Sequence, residues 1–108
     1  MVDYTITVLD ISDRELTQLP DDIDKYTNLQ ELNCYCNQLT SLDNLPYNLK
    51  ILHCGSNNLK SLDNLPPNLQ ILDCNNNKLI SLNYLPHNNS GKVPAHSPTL
   101  FYIPLSHK

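Results

Sequence analysis

The sequence predicts an α/β repeat fold that is mostly β, in which short turns of chain stack into a solenoid with a parallel sheet along one side. Three observations carry this prediction. Residues 29–48, 49–68 and 69–88 align without gaps at a step of 20 residues. Each holds the frame Leu-x-x-Leu-x-Cys-x-x-Asn-x-Leu-x-x-Leu-x-x-Leu-Pro. The Leu-x-Cys part has the period of two that sends side chains to alternate faces of a strand. Units this short cannot bury their apolar face alone, so the core has to form between neighbours, as a stack.

In chain order, the first unit is residues 6–28. Ile6, Leu9, Ile11, Leu16 and Leu19 fit the same frame at a step of 23, with Arg14 where the later units have Asn. The three extra residues fall in Pro20-Asp21-Asp22-Ile23-Asp24-Lys25-Tyr26. There a leading Pro and acids in the first turn suit one or two turns of helix. The next three units have no room for that helix. Their return segments, such as Ser41-Leu42-Asp43-Asn44-Leu45-Pro46, are expected to be extended or polyproline-like, because Pro46, Pro66 and Pro86 restrict the preceding Leu.

The repeat domain therefore covers residues 1–88, and residues 89–108 form a tail. Residues 89–98 have the composition of a linker. The stretch Leu100-Phe101-Tyr102-Ile103-Pro104-Leu105 leaves two readings open. It is either a degenerate cap strand at 100–105, with Pro104 tolerable only on an edge, or part of a tail without fixed structure.

Alternation makes Leu32 and Cys34, Leu52 and Cys54, and Leu72 and Cys74 the inward pairs. Strands roughly 4.8 Å apart align them into columns. At roughly 1.5–3 kcal/mol per fully buried apolar side chain, contacts between units supply most of the stability. Asn37, Asn57 and Asn77 end the strands, where a buried amide bonds backbone groups of its own bend and of the adjoining unit. Each such group left unpaired costs about 1–3 kcal/mol. The cysteines recur at the metal-like interval of 20, yet they stand where a core Leu or Val would, and no Cys-x-x-Cys pair accompanies them. They are read as packing, with no metal and no cofactor expected. Cys36 has no counterpart in the later units (Ser56, Asn76) and is the thiol most open to a probe.

The outward positions are Val8, Asp10 and Ser12, then Glu31, Asn33 and Tyr35, then Ile51, His53 and Gly55, then Ile71, Asp73 and Asn75. Exposed aromatic and aliphatic groups among polar ones suit a protein-binding patch. The residues expected to bind a partner are Glu31, Asn33, Tyr35, Ile51, His53, Ile71, Asp73 and Asn75. The alternative is a solvated sheet of strand-favouring residues. His53 and Asp73 fall on adjoining strands, but no nucleophile is arranged beside them and a shallow face does not exclude water. No enzymatic activity is expected. His96 and His107 fall in the tail and are read as incidental.

These residues resemble the leucine-rich-repeat superfamily over residues 6–88. The 20-residue units with Leu-Pro are similar to those of bacterial effectors, and Asn-rich versions occur in large DNA viruses and amoebae. The first unit looks like the common 23-residue type. The resemblance implies a short right-handed superhelix whose parallel sheet lines the concave face, and a role in holding a protein partner. The ubiquitin-ligase activity of some effectors lies in a separate domain, and the residues after Asn88 are too few to hold one.

The formal charge of −4 and the scattered distribution of the seven Lys and Arg residues argue against nucleic-acid binding. Residues 1–19 lack the basic start and apolar run of a secretory signal, and no stretch approaches the roughly 18 apolar residues of a membrane helix. The expectation is an intracellular, cytoplasmic protein (in the host cytoplasm if viral or an effector), with reduced thiols and with the sequon Asn88-Asn89-Ser90 unused. The function expected is a non-enzymatic protein–protein interaction module. The alternatives are a structural fragment that self-associates through its C-terminal edge and an effector-type protein lacking its enzymatic domain.

Overall fold

The structure is a computed structural model that describes residues 2–79 and the strand Tyr102–Pro104. Four short strands run parallel and in sequence order: β1 (Val8–Asp10), β2 (Glu31–Asn33), β3 (Ile51–His53) and β4 (Ile71–Asp73). Leu9 stands opposite Leu32, Leu32 opposite Leu52, and Leu52 opposite Leu72. The pairing thus follows the sequence steps, 23 residues once and 20 twice. A one-residue slip would turn each of these leucines to the other face.

Each strand is short because a left-handed residue follows it. Asp13, Cys36, Ser56 and Asn76 have φ of 56, 57, 54 and 56°, and they occupy equivalent places in the four units. Parallel bonding continues as far as that bend: Cys34 N–H donates to the His53 carbonyl (2.9 Å) and Cys36 N–H to the Gly55 carbonyl (3.1 Å). A left-handed conformation costs an L-residue roughly 1–2 kcal/mol. The asparagine that follows each later bend offsets this. Asn57 Nδ2 donates to the carbonyls of Cys34 (3.0 Å), Cys54 (3.1 Å) and Gly55 (3.0 Å), and its Oδ1 accepts from Leu39 N–H (3.0 Å). Asn37 bonds Ile11, Cys34, Arg14 and Leu16, and Asn77 bonds Cys54, Cys74 and Leu59, in the same manner.

The apolar side chains on one face of the sheet form the core. Leu29, Leu32, Cys34, Leu39, Leu49, Leu52, Cys54, Leu59, Leu69, Leu72 and Cys74 have no exposed surface. In the first unit, whose strand β1 lies at one end of the sheet, Ile6, Leu9 and Leu16 are only half-buried. Tyr4 and Tyr26 pack edge to face there, with ring centroids 4.9 Å apart, and the Tyr4 hydroxyl donates to Asp22 Oδ2 (2.7 Å).

The only helix among the described residues is the single 3-10 turn Ile23–Lys25. It lies in the three-residue-longer first unit, begins after Pro20 and buries Ile23. The return segments after β2 and β3 contain neither helix nor strand. They bury Leu42, Leu62, Pro46 and Pro66 and bend at Asn44 and Asn64, both with φ of 61°, so they are not extended throughout.

β5 (Tyr102–Pro104) pairs antiparallel with β4 at the sheet edge, which places Pro104 on a strand whose outer side needs no ladder bond. Leu82, Leu85, Pro86, the linker 89–98 with His96, the sequon, and His107 lie outside the described residues. Among the described residues no helix is long and apolar enough to cross a membrane.

Candidate functional site

Opposite the leucine columns, the sheet presents the alternate residue of every strand. Glu31, Asn33, Ile51, His53, Ile71, Asp73 and Asn75 are half-buried, and Tyr35 is exposed. Val8 and Asp10 on β1 are exposed as well. The parallel register makes one surface of these residues, with Glu31, Ile51 and Ile71 in one row and Asn33, His53 and Asp73 in the next.

The row Asp10, Asn33, His53, Asp73 has a structural task that its composition partly disguises. Asp10 Oδ1 accepts from the backbone N–H of Ser12 (2.9 Å), Asn33 Oδ1 from that of Tyr35 (3.0 Å), and Asp73 Oδ1 from that of Asn75 (3.4 Å). These are side-chain turns that finish a strand by bonding the backbone two residues on. The Ser12 hydroxyl also donates to Asp10 Oδ1 (2.7 Å), and the two Ser12 bonds hold that carboxyl below its usual range. One oxygen of each acid is thus committed to the fold.

His53 has no such oxygen and is held by neighbours instead. Its Nε2 lies 3.2 Å from Glu31 Oε2, and its Nδ1 lies 4.0 Å from Asp73 Oδ2, beyond direct hydrogen-bond reach. Glu31 is the diagonal neighbour of His53 rather than its row partner, a contact that long side chains on adjoining strands can make. The imidazole therefore sits between two carboxylates, about a third of each of the three side chains being exposed. Among the described residues no Ser, Thr, Cys or Tyr side chain hydrogen-bonds His53, Glu31 or Asp73. Among the described residues no group of three His, Cys, Asp or Glu side chains is placed to hold a metal ion.

Beyond His53 the chain has Gly55, which is buried although it belongs to the outward series. A Cβ there would collide with Asn75 Oδ1 and lie 2.9 Å from Tyr35 Cε1, so the neighbouring side chains close over the glycine from both sides. Asn75 Oδ1 is buried in this contact and has no hydrogen-bond partner among the described residues. Sequence alternation alone puts Gly55 on the surface. The asymmetry of one small residue between Tyr35 and Asn75 is the signal for a closed contact.

The three ladder thiols lie on the other face and take no part in this surface. Burial pushes Cys34 up to about 12 and Cys74 likewise to about 12, with the Asp73 carboxylate adding to the latter. Cys54, wholly buried between them, is pushed well above its ordinary value by the same cause. Thiols held protonated in this way are poor nucleophiles and poor metal ligands. Cys36 is half-buried at the bend after β2. A shallow polar recess lined by Gln18, Leu19, Pro20, Asp21, Ser41, Asp43 and Asn44 lies between the first two return segments, away from the outward face.

No family model, no curated protein and no solved structure matches the chain.

Proposed function

We infer that the chain is a leucine-rich-repeat solenoid that acts as a non-enzymatic protein-interaction module, holding a partner protein on the outward face of β1–β4. One observation carries this reading: the in-register pairing at steps of 23 and 20 residues gathers Tyr35, Ile51, Ile71, His53 and Asp73 into one continuous surface. That surface mixes aromatic, aliphatic and charged groups on a rigid scaffold, as recognition patches do. The His53 cluster supports binding over catalysis, since among the described residues the imidazole bonds only the Glu31 carboxylate and no hydroxyl or thiol. Cytoplasmic residence goes with this reading and is part of the proposal.

The test is affinity capture with the unchanged chain and with a variant altered at Tyr35, His53 and Asp73. The reading expects a captured protein that is lost with the variant while circular dichroism stays the same. A partner retained by the variant would move the site elsewhere.

The pairing of β5 with β4 favours a second reading, self-association at the C-terminal edge. The same strand can pair within its own chain or with a second copy, and chain exchange of this kind needs no new contact. Light scattering on the full chain and on residues 1–88 separates the two. A dimer that becomes a monomer without the tail supports exchange, and a monomer in both contradicts it.

A further inference from the structure

We propose that the partner segment held on the outward face of β2–β4 is positively charged, an arginine- or lysine-bearing polypeptide whose cations reach Glu31 and Asp73 on either side of His53. This rests on the interaction-module reading and adds the chemistry of the partner to it.

The argument begins with donors and acceptors. None of the outward positions of the four strands carries Lys or Arg. Around His53 the surface offers the Glu31 carboxylate and Asp73 Oδ2. One imidazole faces two carboxylates, so acidic groups outnumber basic ones in the cluster. Glu31 and Asp73 are 36% and 28% exposed, and among the described residues the His53 imidazole is the only basic side chain within ion-pair reach of either. Arg and Lys are donors without acceptors, the complement of this set. An Arg fork matches a carboxylate bidentately.

The apolar surroundings fit the same occupant. Ile51 and Ile71 adjoin on β3 and β4, giving a cationic side chain a place to lay its aliphatic stem. Tyr35, 37% exposed, adds an aromatic ring to the same surface, and such rings attract cations. Asp10 belongs less to this site, because Arg14 already lies against its carbonyl (Nη2–O 3.4 Å). An acidic or uncharged partner would cover Glu31 and Asp73 with one imidazole shared between them, which is the costlier arrangement.

The probe is a fluorescein-labelled octapeptide alternating Arg and Ser, with a Glu–Ser peptide as its counterpart, read by anisotropy at low salt on the full chain. Glu31→Gln with Asp73→Asn should weaken the Arg–Ser peptide about tenfold or more, as the loss of two half-shielded charge contacts implies. The charge-matched change Asp43→Asn with Asp63→Asn, on the return segments, should leave it within about twofold, since exposed distant charges are largely screened. Equal weakening by both pairs, or equal binding of the Glu–Ser peptide, overturns the proposal. Chemical shifts on the unchanged chain give a second arm that needs no variant: the Arg–Ser peptide should move His53 and the Asn75 side-chain amide, and shifts confined to the return segments overturn the proposal too. A captured partner lost on changing Tyr35, His53 and Asp73, with no dependence of the peptide on Glu31 and Asp73, overturns the basic partner and leaves the interaction reading standing.

Discussion

Asn57 reaches across the join between two repeats: its Nδ2 donates at 3.0 Å to the carbonyl of Cys34, which belongs to the repeat before its own. The same amide closes its own bend through Cys54 and Gly55, and its Oδ1 takes the Leu39 N–H. One side chain thus satisfies backbone groups of two adjoining units and couples them.

Asn57→Ala would leave those buried groups unpaired, at about 1–3 kcal/mol for each that finds no new partner. The neighbouring Asn58 makes no side-chain hydrogen bond among the described residues, and its backbone N–H bonds Leu39 either way. Asn57→Ala should therefore lower the thermal midpoint by roughly 10 °C or more, and Asn58→Ala by only a few degrees, taking about 4–8 °C per kcal/mol for a domain of this size. Equal midpoints in calorimetry would contradict the role given to Asn57.

Gly55 is the tight point of the outward face. In Gly55→Ala the new methyl meets Asn75 Oδ1 and Tyr35 Cε1, so both side chains must move, for about 1–3 kcal/mol as in other overpacked sites. Asn75→Ala removes the nearer obstacle, an oxygen with no hydrogen-bond partner among the described residues. In that background Gly55→Ala should cost less by about 1 kcal/mol, a coupling that a double-mutant cycle in urea reads directly. Strictly additive effects would mean that the two residues do not touch.

The buried thiols make the chain sensitive to alkali. In the unfolded chain they ionise near 9, whereas folded Cys34 and Cys74 hold their protons to about 12. Through that window the folded state binds more protons, so stability is full below pH 9 and falls as pH rises, by about 1.4 kcal/mol per pH unit for each thiol. Cys54→Ala should make the fall shallower by about one such increment in urea titrations across the window, even though it weakens packing at neutral pH. At neutral pH a thiol reagent should modify Cys36 alone in the folded chain and all four cysteines after denaturation. Rapid native modification of Cys54 would contradict the closed core.

Much of this is legible in the chain, because the two steps of 20 and the one of 23 dictate which strand residues stand opposite one another. The pairs Leu9–Leu32, Leu32–Leu52 and Leu52–Leu72 follow from counting. The helical turn Ile23–Lys25 falls in the only described unit with residues to spare. The candidate surface is legible as a row of outward positions but not as a set of contacts. Alternation pairs His53 with Asp73, while the closer partner is Glu31, because a long side chain reaches diagonally and strand geometry alone does not say which way it leans. The left-handed bends at Cys36 and Ser56 carry no glycine to announce them. Their conformation is set by the asparagine after each, a tertiary bond that local propensity does not encode. The burial of Gly55 escapes for the same reason, since it depends on residues 20 positions away on either side.

The account stands on equivalent side chains lying directly over one another in consecutive repeats. Selective methyl labelling of leucine with a nuclear Overhauser experiment tests this most directly. Contacts should appear between Leu32 and Leu52 and between Leu52 and Leu72, while Leu32 and Leu72, two strand spacings or about 9.6 Å apart, should show none or a much weaker one. A strong Leu32–Leu72 contact, or no contact between Leu32 and Leu52, would contradict the stacking and with it the continuous outward surface.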